Sequence, residues 1–177
     1  AWGKSEYGGS GVPGDLKDVQ AIYSTYGAFA ALKEDGTVQA WGSSVRGGSG
    51  VPGDLKDVRA IYSTGYAFAA LKEDGTVQAW GRSSYGGSGV PGDLKDVRAI
   101  YSTSYAFAAL KEDGTVQAWG DSSSGGSGVP AGLTNVKTLF GSTLYYSDST
   151  ASSDFPCPPR FYGPGFPHCQ ACPSASS

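Results

Sequence analysis

The sequence predicts an all-β fold of tandem 39-residue repeats, propeller-like, with about four blades or part of a larger array, followed by an irregular cysteine-containing tail. Three observations carry this. The eighteen residues GGSGVPGDLKDVRAIYST begin at Gly47 and recur unchanged at Gly86; a near-copy begins at Gly8, with Gln20 in place of Arg59 and Arg98, and a decayed copy begins at Gly125. The units 47–85 and 86–124 differ only at Gly65/Ser104, Arg82/Asp121 and Tyr85/Ser124. Each unit also holds short runs of β-forming residues separated by turn dipeptides, which is strand and hairpin grammar.

In the second unit, Val58-Arg-Ala-Ile-Tyr-Ser63 and Ala67-Phe-Ala-Ala-Leu-Lys72 read as paired strands divided by Thr64-Gly65-Tyr66. Glu73-Asp74-Gly75-Thr76 supplies the Asp-Gly that accepts positive φ in a tight hairpin, and Thr76-Val-Gln-Ala-Trp80 follows as a third strand ending at Gly81. Each unit is therefore expected to be a three- to four-stranded antiparallel meander, with any fourth, irregular strand in the glycine-rich connector 82–96. In the middle strand Phe68 and Ala70 face one side while Ala67, Ala69 and Leu71 face the other. A strand apolar on both faces belongs between two layers, and its alanines let neighbouring sheets approach closely.

These boundaries divide the chain into a repeat domain, 1–147, and a Ser/Pro/Gly/Cys-rich tail, 148–177. The repeat domain comprises an N-terminal strand 1–7, units 8–46, 47–85 and 86–124, and a partial unit 125–147. The 177 residues carry a net charge of -3 and are 39% hydrophobic, a balance that suits a folded chain and gives no electrostatic footprint for nucleic acid. No apolar run approaches the roughly 20 residues of a transmembrane helix. There is no methionine, and the chain opens on Ala1-Trp2-Gly3, the tail of a repeated Gln-Ala-Trp-Gly element; this points to processing or to an excerpt of a longer chain. Cys157, Cys169 and Cys172 all lie in the tail, an odd count that suggests disulfides with a partner elsewhere and an extracellular or cell-surface compartment.

The run from Val77-Gln-Ala-Trp-Gly81 through Val90-Pro91, Leu94, Val97 and Ile100 to Ala108-Ala-Leu-Lys-Glu-Asp-Gly-Thr-Val116 resembles the propeller repeat of the regulator of chromosome condensation superfamily. It is most similar to the shorter-repeat branch that includes the second type of bacterial β-lactamase inhibitor protein. The resemblance covers residues 1–147 and implies a propeller fold and a binding role for loop edges. The sequence departs from it at Gly47-Gly48 and Gly86-Gly87, where the family writes Gly-Gln. The tail resembles the small disulfide modules of growth-factor-receptor-like ectodomains.

No nucleophile, base and metal constellation stands in the repeats, which hold neither His nor Cys, so no catalytic residue, metal site or cofactor is expected. The recurring Glu34/Asp35, Glu73/Asp74 and Glu112/Asp113 read as turn chemistry. Asp15/Asp18, Asp54/Asp57 and Asp93/Asp96 lack the dense oxygen run of a calcium loop and read as turn or capping residues. Gly-Gly-Ser-Gly is not followed by Lys-Ser/Thr and reads as a flexible connector. His168 and the three cysteines suit disulfides better than zinc, because adjacent His168 and Cys169 would have difficulty turning to one ion.

The units vary in two places: the turn after the first strand and the four residues after Trp-Gly. In an up-down-up meander both lie at one edge, where Tyr7, Tyr26, Arg46, Tyr66, Arg82, Tyr85, Tyr105 and Asp121 are candidates for partner contact. Loops that vary for want of restraint are the alternative. No Asn-x-Ser/Thr sequon exists, so a sugar on this chain would be O-linked. The strand material at the two ends makes Trp2, Gly3, Val136, Leu139, Phe140, Leu144 and Tyr146 candidates for self-association. Two functions follow. One is a secreted structural protein assembling with copies of itself into an extracellular filament or appendage. The other is a binding module that holds a protein or carbohydrate at its varied edge.

Overall fold

A computed structural model describes residues 3–140 and 145–146. Three antiparallel three-stranded meanders succeed one another: β1 (Val19–Ser24), β2 (Ala28–Lys33) and β3 (Val38–Gly42); β4 (Val58–Ser63), β5 (Ala67–Lys72) and β6 (Val77–Gly81); β7 (Val97–Ser102), β8 (Ala106–Lys111) and β9 (Val116–Gly120). A two-stranded hairpin, β10 (Leu139–Phe140) with β11 (Tyr145–Tyr146), follows. Among the described residues no helix is long and apolar enough to cross a membrane.

The Asp-Gly hairpins set the register. Gly36, Gly75 and Gly114 take φ of 75–77°, the left-handed conformation that a tight turn demands and that glycine adopts without cost to a Cβ. The register then places Phe68 opposite Trp80 and Ala69 opposite Ala79, and the same pairing recurs as Phe29/Trp41 and Phe107/Trp119. Each Phe/Trp pair stacks at 5.1–5.4 Å between ring centroids. Each indole N–H donates to a glycine carbonyl of the connector: Trp41 to Gly8, Trp80 to Gly47 and Trp119 to Gly86, at 3.0–3.2 Å.

Both faces of each middle strand are apolar, as expected; β5 and β8 each serve two interfaces, and β2 serves one among the described residues. Phe68 and Ala70 pack with Leu55, Val58 and Ile61 against Ala28, Ala30 and Leu32 of the first sheet. Ala67, Ala69 and Leu71 pack on the other side against Leu94, Val97 and Ile100 of the third. Burying a side chain of the size of Phe68 contributes about 1.5–3 kcal/mol, so a few such rings per interface weld the sheets. Backbone bonds reinforce each junction: Val58 N–H donates to Gly36 C=O at 3.1 Å and Val97 N–H to Gly75 C=O at 3.0 Å. The hairpin glycine is doubly required, since a Cβ on Gly36 would lie 3.2 Å from the backbone of Asp57 and Val58.

Two expectations need correction. No fourth strand forms in the described connectors; each begins with a 3-10 turn, such as Ser83–Tyr85, capped by a left-handed glycine. Nor is Gly-Gly-Ser-Gly slack at its first two positions. A Cβ on Gly47 would sit 2.6 Å from the Phe68 ring, and one on Gly48 would sit 2.4 Å from the backbone carbon of Gly42. The second contact is the physical reason why no larger residue follows the first glycine here.

Candidate functional site

The varied edge is assembled by residues that do not vary. Thr25, Thr64 and Thr103 stand at the turn after the first strand of each sheet. Thr64 Oγ1 donates to Tyr85 C=O at 3.2 Å and accepts the Ala67 N–H at 3.0 Å, so one hydroxyl ties the turn to the segment after Trp-Gly. Thr25 reaches Arg46 C=O and Thr103 reaches Ser124 C=O in the same way, at 3.0 and 3.1 Å. Arg82 N–H to Tyr66 C=O, at 3.0 Å, adds a second tie. Turn and connector are thus one unit whichever side chains they carry.

Those side chains cross from sheet to sheet. Tyr66 lies at the centre, with ring centroids 5.5 Å from Tyr26, 4.9 Å from Tyr85 and 6.0 Å from Tyr105, and Tyr85 lies 5.0 Å from Tyr105. The Arg46 guanidinium sits 5.2 Å from the Tyr7 ring and 5.5 Å from that of Tyr66. That of Arg82 sits 5.7 Å from Tyr66 and 4.8 Å from Tyr85. These are cation–π distances. Tyr26 N–H donates to Gly65 C=O and Gly65 N–H to Ser104 C=O, at 3.0 and 2.9 Å, which strings the three turns together.

The differences between units are matched across this surface. The first unit writes Tyr26-Gly27 where the second writes Gly65-Tyr66. A Cβ on Gly65 would lie 2.4 Å from the Tyr26 ring, and one on Gly27 would lie 2.8 Å from the Arg46 guanidinium. Each glycine stands where a neighbour's side chain passes. Beside Tyr26, the ends of β1, β4 and β7 line an open groove of about 430 Å³ with the hydroxyls of Ser24, Ser63 and Ser102 and the three threonines.

The structure brings together Tyr7, Tyr26, Arg46, Tyr66, Arg82, Tyr85 and Tyr105, but not Asp121. The Asp121 carboxylate accepts from Ser123 N–H at 3.0 Å and from the Ser123 and Ser124 hydroxyls, so it caps its own turn, and these bonds hold its pKa below the ordinary value. Lys4 pairs with Glu6 and lies 5.0 Å from the Tyr7 ring. Among the described residues neither Arg46 nor Arg82 has a carboxylate partner, and Arg46 Nε is buried without a hydrogen bond.

The opposite edge differs. Asp35 accepts the Thr37 hydroxyl at 2.5 Å and its N–H at 2.9 Å and pairs with Lys33 at 3.1 Å; Asp74 and Asp113 repeat the arrangement. The threonine hydroxyl, then its N–H, lowers the pKa of all three, to about 2 for Asp35 and Asp74. Asp15, Asp54 and Asp93 accept from Gln39, Gln78 and Gln117 at 3.2–3.3 Å. Asp18, Asp57 and Asp96 take φ of 53–55°, a conformation their short polar side chains tolerate. Among the described residues no three His, Cys, Asp or Glu side chains cluster as metal ligands.

Of the self-association candidates, Trp2 and Leu144 lie outside the described residues, as do Cys157, His168, Cys169 and Cys172. Gly3 is exposed. Val136 is buried against Ala108, Leu110 and Val116 of its own chain and offers nothing to another. Leu139 and Phe140 pair with Tyr146 and Tyr145 in the final hairpin.

No protein-family model matches the chain, and no curated protein matches it. Solved structures are similar in fold. The ectodomain of the Physcomitrella patens receptor kinase CR4 aligns at 18% identity and a TM-score of 0.49, over 58% of this chain and 28% of that one. Yeast RCC1 (Prp20), solved bound to Kap60, aligns at 23% identity and a TM-score of 0.47, over 62% and 31%. The computationally designed Ika4 protein aligns at 21% and 0.41, over 58% and 66%. The chain spans less than a third of the length of the first two.

Proposed function

We propose that the chain is a non-enzymatic binding module that holds a protein or carbohydrate partner on the edge formed by Tyr7, Tyr26, Arg46, Tyr66, Arg82, Tyr85 and Tyr105. One observation carries this reading: apart from Gln20, the differences between the three full units fall on one surface, where the tyrosines and arginines among them interlock. Tyrosine and arginine are the side chains that interfaces concentrate, because each offers a large apolar body with a polar tip. The guanidiniums without a carboxylate partner supply the polar complement. An extracellular setting rests on the tail cysteines alone.

The test is binding of the full chain to arrayed proteins and glycans, repeated with Tyr66→Ala, Arg82→Ala and, as a control on the opposite edge, Glu73→Ala. The expected result is a ligand lost with the first two variants and kept by the third. Binding indifferent to Tyr66 and Arg82, or no ligand in either class, overturns the reading. The open-ended filament that the sequence also suggests needs two complementary ends, and of the residues assigned to it Val136 is spent within the chain.

A further inference from the structure

One difference between the copied units lies away from the varied edge: Gln20 stands where the second and third units carry Arg59 and Arg98. Those arginines tie one unit to the next. Arg59 Nη2 donates to the carbonyls of Val97 and Arg98, at 3.2 and 3.0 Å, and Arg98 Nη2 donates to that of Lys137. Lys137 is the counterpart of Arg98, so both junctions place a guanidinium on the same stretch of the following unit.

The junction between the first and second units lacks it. The corresponding acceptors are the carbonyls of Val58 and Arg59, and among the described residues no side chain donates to either. Arg59 itself is engaged with the third unit. Gln20 is exposed, and its amide ends where an arginine would have only its Nε, short of the reach of Nη. A pocket of about 360 Å³ opens here, lined by Gln20, Glu34, Gly36, Asp57, Val58 and Arg59 among others. Neither Glu34 nor Asp57 has an ion-pair partner among the described residues.

We propose that this pocket takes a guanidinium group from outside the chain, in the place that an arginine of the repeat fills at the other two junctions. The site stands on the hairpin side and does not rest on the varied edge. The carbonyls argue for the occupant: where the same positions recur, what they accept from is a guanidinium, and here they have no side-chain donor. The carboxylates agree with it. A planar cation with five N–H donors can lay one edge on carbonyls and turn another to Glu34 or Asp57. A metal ion suits the pocket poorly, since among the described residues no three His, Cys, Asp or Glu side chains cluster as ligands.

Titration of the full chain with Nα-acetyl-arginine methylamide, read by amide NMR, tests the proposal. The citrulline analogue, of the same length and without charge, is the comparison probe. The expected result is saturable shifts at the amides of Gly36, Val58 and Arg59 with the arginine probe and none with citrulline. Gln20→Arg writes the residue of the other units and should fill the pocket, abolishing the shifts, while Glu34→Gln should weaken binding roughly two- to fivefold, the size of a solvent-exposed ion pair. No saturable shift at those amides, equal shifts with citrulline, or binding unchanged in Gln20→Arg overturns the proposal.

Should Gln20→Arg fail to fold, the double variant Glu34→Gln, Asp57→Asn decides. Asparagine tolerates the left-handed backbone of Asp57, so the variant removes charge and keeps shape. Loss of the arginine probe supports the site, and unchanged affinity overturns it. Free arginine as a second probe identifies the source: tighter binding of the blocked probe supports an arginine within a polypeptide, and tighter binding of free arginine supports the amino acid itself. None of these variants touches Tyr66 or Arg82, so either proposal can fail alone.

Discussion

The two edges of the sheets are built on opposite rules. At the hairpin edge the acidic side chains bond within their own turn: Asp74 takes the hydroxyl and N–H of Thr76 and the ammonium of Lys72, and Asp35 and Asp113 do the same. At the varied edge the contacts run between units, from Arg46 to Tyr66 and from Tyr26 to Tyr66. The hairpin meets its neighbour through backbone alone, at the glycine carbonyl, so its side chains can be copied unchanged. On a surface shared between units a residue must fit its neighbour: a side chain on Gly65 would meet the Tyr26 ring of the preceding unit at 2.4 Å.

The connector behind the varied edge should break this contrast most forcefully. A Cβ on Gly48 meets the Gly42 backbone at 2.4–2.9 Å, and backbone cannot step aside as a side-chain tip can. Gly48→Ala is expected to destabilise the fold by more than about 2 kcal/mol, in the range of severe backbone misfits. Gly53→Ala, five residues on, meets nothing within 4 Å and should stay within about 0.5 kcal/mol of the wild type. Urea denaturation of both variants measures the gap; equal midpoints would mean that the connector is slack and that the varied edge has no fixed frame.

That gap also marks what the sequence discloses. The strands were legible because Asp-Gly dipeptides punctuate them and because the same grammar is written three times; β4, β5 and β6 fall where the β-forming runs place them. The apolar faces of β5 were legible for the same reason. Gly47-Gly48 was not, since a glycine pair reads equally as slack or as close packing, and only the approach of Gly42 and Phe68 decides. The location of the varied edge followed from meander geometry, but its interlocking did not, because contacts between Tyr66, Arg46 and Arg82 depend on how one sheet lies on the next. The cap at Asp121 was not legible either, because an aspartate before a serine run reads equally as a surface charge, and here its carboxylate turns to Ser123 and Ser124.

A smaller effect sharpens the claim that the varied edge is shared between units. Arg82 and Tyr85 lie close in sequence, while Arg82 and Tyr66 belong to the two varied segments of one sheet and Arg46 and Tyr66 span two sheets. A double-mutant cycle of Arg46→Ala with Tyr66→Phe and Tyr66→Ala should return a coupling of about 0.5–1 kcal/mol for the alanine cycle, the usual size at a partly exposed cation–π pair. Phe keeps the ring, so its cycle should return much less. Zero coupling in the alanine cycle would reduce the edge to neighbouring but independent side chains.

The smallest effect belongs to the hairpin edge and concerns pH. Hydrogen bonds from the Thr37 hydroxyl and N–H, with help from Lys33, stabilise the ionised Asp35 in the fold, lowering its pKa from 3.8 to about 2, and Thr76 does the same for Asp74. A carboxyl group whose folded pKa is depressed favours the folded state above its unfolded pKa and loses that contribution as pH falls through the folded value. The hairpins should therefore hold unchanged down to about pH 4 and weaken between about pH 4 and 2. The contribution is modest because these carboxylates face water. Carboxyl carbon NMR titration of Asp35 and Asp74 checks the direction, and Thr76→Val, which removes the hydroxyl donor but keeps the N–H, should return Asp74 part of the way towards 3.8 while leaving Asp35 where it was. A shift at both sites would mean that the hairpins are coupled, and the contrast between a local edge and a shared one would fail.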